Sequence, residues 1–164
     1  MPISDRDGQP WLPRAEPTDP AGPEWQAVRM PLDPYDLPEQ VLTFLTERHL
    51  ATLTTQRRDG SPHVVPVGFT FDGSAALVRV ITSDGSVKVR NADRPGPDGQ
   101  PGRAAVCQLE GRHWLTLEGP CRISRVREDV NDAEQRYARR YRVPRVNPRR
   151  VVLLIAVDRV LGRA

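Results

Sequence analysis

Lysine is almost missing from this chain: Lys88 is the only one among 24 basic residues. Cysteine is nearly as scarce, with Cys107 and Cys121 alone. Neither has a second thiol or a histidine at metal-ligand spacing, so no metal site and no disulfide framework is expected. Both fall in apolar, strand-like runs and read as free buried thiols of a reducing compartment. The three histidines, His49, His63 and His113, have no spacing that suits a metal or a catalytic triad. No run approaches the roughly 18 to 20 apolar residues that cross a bilayer. The first 30 residues lack the apolar core of a signal peptide. A soluble cytoplasmic protein with no membrane segment is therefore expected. Aromatic residues make up 5% of the chain, and the strand-like segments hold only Phe69, Phe71 and Trp114. A nucleic-acid-binding barrel needs stacking platforms on its strands, so no nucleic-acid partner is expected.

Proline is plentiful but uneven. Eight of 17 prolines lie in the first 36 residues. Residues 1–40 carry eight acids and three arginines, a net of −5, whereas the remainder carries 13 acids and 21 bases, a net of +8. The chain therefore divides into an acidic, Pro-rich tail over residues 1–36, expected to be disordered, and one basic domain over residues 37–164. Trp11 and Trp25 are the tail's only candidates for docking on the domain. A basic domain suits an anionic partner such as a phosphorylated cofactor.

Asp36-Leu37-Pro38-Glu39 reads as a helix start, with Pro in the first turn and an acid near the positive end. The helix continues to about His49. Leu50 to Thr55, His63 to Phe71 and Ala76 to Thr82 form a meander with two Asp-Gly turns. Ser86 can cap a short helix carrying Val87, Lys88, Val89 and Asn91. After a loop from Pro95 to Arg103 come strands at Ala104 to Leu109 and Trp114 to Ser124. A helix over Asp129 to Tyr141 has Val130, Ala133, Tyr137 and Tyr141 at spacings of three and four. The strand Val151 to Val160 is apolar enough to be buried on both faces. The expected fold is mainly β: a six-stranded antiparallel barrel with flanking helices, closed because closure removes exposed edges.

Three stretches could carry chemistry. From Arg79 to Lys88 a strand ends at Thr82, a Ser-Asp-Gly turn follows, and a helix opens at Ser86. Hydroxyls of Thr82 and Ser86, free backbone N–H groups and the charges of Arg79 and Lys88 could converge on a phosphate. The Gly-x-x-x-x-Gly-Lys spacing of a P-loop is absent. A capped helix with solvated cations fits the same residues. In His63 to Phe69, Pro66 interrupts a strand and marks an edge open to solvent, a bulge or a ligand, while Gly68 permits close approach of something flat. The third stretch is the arginine cluster from Arg136 to Arg150. Its helical part reads as a solvated face, while Arg149 or Arg150, beside the last strand, could line a cleft and hold a carboxylate. A possible phosphate cradle with no evident catalytic side chain fits an enzyme whose cofactor carries the chemistry.

The order of motifs is Glu-Arg-His-Leu-Ala-Thr-Leu-Thr-Thr, then Ser-Pro-His-Val-Val-Pro-Val-Gly-Phe-Thr-Phe, then Arg-Val-Ile-Thr-Ser-Asp-Gly-Ser-Val-Lys and Asn-Ala-Asp-Arg. Trp-Leu-Thr-Leu-Glu-Gly and Asn-Pro-Arg-Arg-Val-Val follow downstream. This order resembles the pyridoxamine-phosphate-oxidase-like split barrels, over about residues 38–163, and within them the branch that uses the deazaflavin F420. The resemblance implies an FMN-binding-type split barrel, a homodimer with a cofactor in each interface cleft, and an F420-dependent reductase. It implies that His63, Val64, Val65, Pro66 and Val67 border the deazaflavin ring, that Arg79, Thr82, Ser86 and Lys88 hold the phosphate end, and that Asn91 supports that loop. Gln108 and Trp114 are implied near the ring or tail from the partner's strand region, and Arg149 near a substrate propionate. The implied reaction is hydride transfer from C5 of the reduced cofactor to biliverdin or a related conjugated tetrapyrrole. FMN in the same cradle, or a cofactor carrier without turnover, remain the alternatives. The loop from Pro95 to Arg103 looks long for the family and could reshape the substrate pocket.

Overall fold

The computed structural model describes residues 32–96 and 99–163. The expected tail, with Trp11 and Trp25, lies almost wholly outside the described residues. Order reaches back at least to Leu32, whose N–H donates to the Val160 carbonyl at 3.2 Å.

The elements in chain order are α1 (Glu39–Thr46), β1 (Ala51–Gln56), β2 (Pro62–Val67), β3 (Thr70–Asp72), β4 (Leu77–Ser83), α2 (Val87–Ala92), β5 (Arg103–Glu110), β6 (His113–Ser124), α3 (Arg127–Arg140), β7 (Arg150–Ala156) and β8 (Arg159–Arg163). The chain is thus mainly antiparallel sheet with three helices. The strands follow the order β2-β1-β5-β6-β7-β4-β3, with β8 also on β6.

Eight strands stand where six were expected, because two expected strands are each broken once. The stretch His63 to Phe71 breaks after Val67. There the Phe69 N–H donates to the Tyr141 hydroxyl at 3.2 Å, and the Phe69 carbonyl accepts from Arg140 at 2.7 Å. Side chains of α3 have taken the backbone groups a strand would use. The last strand breaks at Val157 and Asp158, whose N–H groups donate to the carbonyls of Ala76 and Glu118. β7 and β8 nevertheless run in succession along one long strand, β6. The second expected Asp-Gly turn also differs. Its left-handed residue is Ala76, at φ 45°, rather than Gly73.

The sheet does not close through hydrogen bonds. β2 and β3 end the hydrogen-bonded path without pairing to each other, and β8 pairs with no strand but β6. Pro66 lies in β2, where a missing N–H costs nothing on the open side. The main core fills the barrel with Leu53, Phe69, Val78, Val106, Leu115, Leu117 and Ile155 among others. A second cluster packs Val130 and Ala133 of α3 against Val152 and Leu154 of β7. β7 is buried on both faces, as its continuous apolar run implies.

Candidate functional site: the cleft beside Lys88

β4 alternates cleanly, with Val78, Val80 and Thr82 buried toward the barrel. Its C-terminal end leads into the turn Ser83-Asp84-Gly85. Gly85 adopts φ 80°, which β-carbon residues avoid, and the chain enters α2 immediately after it. The turn is held from outside. Arg149 donates from Nη2 to the Asp84 carbonyl at 2.9 Å, and Arg125 bridges the carboxylates of Asp84 and Asp93.

Beside this turn lies a cleft of about 320 Å³. Pro66, Val67 and Gly68 form one wall, Ile81, Thr82 and Lys88 another, and Tyr137, Arg142, Pro144, Arg145 and Arg150 the rim. All its charged lining residues are basic. Lys88 is half-buried, and burial pushes its ammonium below the ordinary lysine range. No carboxylate among the described residues is close enough to offset that burial. Two residues earlier, Ser86 precedes α2 without capping it. Its Oγ is buried with no hydrogen-bond partner. The expected cap does not form, and the hydroxyl is left unspent. α2 has six residues, too short for a substantial dipole, so side chains provide most of the site's polarity.

Asn91 is buried in α2 and donates from Nδ2 to Thr55 Oγ1 at 3.0 Å. Thr55 pairs across the ladder with His63, whose Nδ1 lies 3.4 Å from the same hydroxyl. This chain of contacts ties α2 to β1 and β2. Burial, then the nearby charges of Arg57 and Lys88, hold the His63 imidazole below its ordinary range. Val65 packs on the core, and Val64 is exposed on the outer face of β2.

Of the expected residues, Pro66, Val67, Thr82 and Lys88 line the cleft, while His63, Val64, Val65, Ser86 and Asn91, in β2 and around α2, do not; four others are committed elsewhere. Arg79 shares a face of the sheet with Thr70, its ladder partner, and is paired with Asp72 at 3.4 Å and Asp132 at 3.1 Å. These two carboxylates hold it, and it does not line the cleft beside Lys88. Gln108 is fully buried in the core: Nε2 donates to the Phe44 carbonyl at 2.6 Å, and Oε1 accepts from Arg140 at 2.7 Å. Trp114 stands exposed on β6, paired with Leu109 and Arg163. Arg149 is committed to the turn, while its neighbour Arg150 lines the cleft and is paired with Glu134 at 2.9 Å.

Tyr137 of α3 and Pro144 after it were not expected at a site, whereas Arg142, Arg145 and Arg150 belong to the arginine cluster that the sequence singles out. The flat group that Gly68 admits is a tyrosine of the chain itself. A β-carbon there would lie 2.8 Å from Tyr137 and 3.2 Å from Tyr141. The i, i+4 spacing of Tyr137 and Tyr141 showed them on one inward face, but not which strand they would meet. No described residue of the loop from Pro95 to Gly102 lines the cleft.

A larger cavity, about 730 Å³, lies between α1 and the β5–β6 hairpin. It is lined by Glu39, Glu47 and Glu110 with His49 and His113, a poor setting for an anionic cofactor.

The model of the family described as pyridoxamine 5'-phosphate oxidase matches residues 37–164. The chain belongs to this family. It is 53% identical over 128 residues to a Mycobacterium tuberculosis protein named F420H2-dependent biliverdin reductase, covering 78% of this chain and 89% of that one. Among solved structures, a conserved hypothetical protein from Mycobacterium tuberculosis aligns at a TM-score of 0.64 and 19% identity, covering 78% of this chain and 85% of that one. A protein titled F420 reductase aligns at 0.59 and 21% identity, covering 76% and 98%. These two likenesses establish the split-barrel fold.

Proposed function

We propose that this family member is an F420-dependent oxidoreductase, acting as a homodimer, that transfers a hydride to biliverdin or a related conjugated tetrapyrrole. The observation that carries the reading is an unneutralised, half-buried Lys88 in a cleft whose charged lining is all basic, with the unpartnered Ser86 hydroxyl two residues before it. A phosphate satisfies both, so the residues present fit a phosphorylated deazaflavin. The named relative at 53% identity favours F420 over FMN, which would use the same cradle.

Bound in reduced form, the deazaflavin supplies the hydride. The chain's own residues bind and orient. Lys88, Thr82 and Ser86 hold the phosphate end, and Asn91, through Thr55, keeps α2 against the barrel. The free edge of β2 at Val64 to Val67 borders the ring, with Pro66 presenting no N–H there. Arg142 and Arg145, exposed on the rim, are positioned for carboxylates of the substrate or of the cofactor's acidic tail.

The homodimer rests on one face of the sheet. Pro66, Thr52, Cys107, Thr116 and Leu161 are successive ladder partners across β2, β1, β5, β6 and β8. None is charged, and the exposed side chains of Leu109 and Trp114 extend the same face. A second copy seated there brings Trp114 toward its partner's cleft.

Fluorescence titration of the protein with F420 and with FMN tests the cofactor. Tight F420 binding is expected, and FMN binding without F420 binding overturns the assignment. Lys88→Ala is expected to weaken cofactor binding by about 1–3 kcal/mol, the scale of a charge-assisted hydrogen bond, with thermal stability unchanged. Stopped-flow mixing of the reduced complex with biliverdin is expected to give bilirubin absorbance. Its absence identifies a carrier or another substrate.

A further inference from the structure

Arg136 and Arg140 of α3 are drawn away from the solvated face that their spacing suggests. Arg140 is largely buried, and burial lowers its guanidinium from the ordinary range. Its hydrogen-bond partners are all neutral: the Glu47 carbonyl at 2.9 Å, the Phe69 carbonyl at 2.7 Å and Gln108 Oε1 at 2.7 Å. The Phe69 ring lies 4.4 Å from its guanidinium carbon. Among the described residues no carboxylate pairs with it. Five N–H donors meet three acceptors, so two donors and a full charge remain.

That charge lies at a second cleft, about 240 Å³, between α1, β3 and α3. Its lining is Leu45, Thr46, Thr70, Phe71, Arg136, Arg139 and Arg140, and it shares no residue with the cleft beside Lys88. No acid lines it. Arg136 is neutralised by Asp132 and Asp72. Arg139 is exposed and has no ion pair with a described residue. Thr70 is 7% exposed, and its Oγ1 is buried without a hydrogen-bond partner. Buried hydroxyls are ordinarily satisfied, and buried guanidinium groups are ordinarily paired with an anion. Both exceptions line one cavity, whose remaining walls include apolar Leu45 and Phe71.

We infer that this cleft binds a small organic carboxylate, with the carboxylate on Arg139, Arg140 and the Thr70 hydroxyl and the apolar body against Leu45 and Phe71. The Arg fork and a hydroxyl donor match the two oxygens of a carboxylate. The apolar walls favour an organic acid over an inorganic oxyanion. The volume accommodates a few carbons, not a flavin.

The test is calorimetry and thermal shift on the full chain with acetate, propionate, benzoate and inorganic phosphate, at ionic strength held constant with chloride. Arg140 is left intact because it ties α1 to α3. Thr70→Val and Arg139→Ala are the informative variants. Saturable carboxylate binding is expected, at least tenfold weaker in each variant and undiminished in Lys88→Ala. Without ligand, Thr70→Val is expected to be at least as stable as the parent, since it removes an unpaired hydroxyl. Absence of saturation, binding in both variants equal to the parent's, loss of binding in Lys88→Ala, or a preference for phosphate that persists in Lys88→Ala would each overturn the assignment. The last two outcomes leave the Lys88 cradle standing, so the two readings fail separately.

Discussion

His63 illustrates how one residue reports on the cleft. Its imidazole is held down first by burial and then by the positive field of Arg57 and Lys88. An anion placed beside Lys88 cancels part of that field and makes the imidazolium easier to form. By linkage, whatever raises the proton affinity of His63 is itself bound more tightly when His63 is protonated. Cofactor affinity is therefore expected to rise as pH falls through the His63 titration, by about 0.5–1 kcal/mol, the size of a solvent-screened charge pair. Proton NMR of the His63 ring, with and without cofactor, checks the sign. An unmoved titration places the phosphate elsewhere. In the free protein, Lys88→Ala is expected to raise the His63 midpoint, because one of the two depressing charges is gone. Lys88 was legible in the sequence because it follows a strand, a Gly turn and a helix start, all local features. Gln108 was not. Alternation along β5 points it inward, but only the fold reveals that α1 and α3 present a carbonyl and a guanidinium to it.

At the scale of elements, the breaks in the strands decide the shape. β6 pairs with β5 from His113 to Pro120, and its opposite flank meets β8 and then β7. Gly119 sits where that flank changes partner. A β-carbon on Gly119 would stand 1.8 Å from the Ala156 carbonyl oxygen, against backbone that cannot swing away. Gly119→Ala is expected to destabilise the fold by about 3 kcal/mol or more, the upper range for overpacking. Urea unfolding measures this, and a loss below about 1 kcal/mol would mean the two strands separate freely there. Periodicity located every strand, yet it ran β2 into β3 and β7 into β8. Both breaks arise from backbone groups captured over long distances: Phe69 by Tyr141 and Arg140, some 70 residues onward, and Val157 by Ala76. Local pattern carries no trace of such partners. The strength of β7 was legible because a strand buried on both faces is apolar at every position.

For the whole molecule, the open sheet leaves a face that a single chain does not cover. The row from Pro66 to Leu161 is uncharged and made of small or apolar side chains, with Arg159, Arg163 and Glu118 toward its margins. Stable interfaces bury about 1,200–2,000 Å² with an apolar centre and a charged rim, and this face has that distribution. Thr52 lies in the row on β1, between β2 and β5, and is exposed in the isolated chain. Thr52→Arg therefore leaves the monomer's packing intact but would bury an unpaired guanidinium from each copy on association. That burial costs several kcal/mol, enough to dissociate a standard interface at micromolar concentration. Sedimentation is expected to give twice the chain mass for the parent and a single chain for the variant, with unchanged circular dichroism. If the partner's Trp114 completes the cleft, the monomeric variant also loses cofactor affinity although Lys88, Ser86 and Thr82 are untouched. A parent that sediments as a monomer, or a variant that remains a dimer, removes this face from the interface.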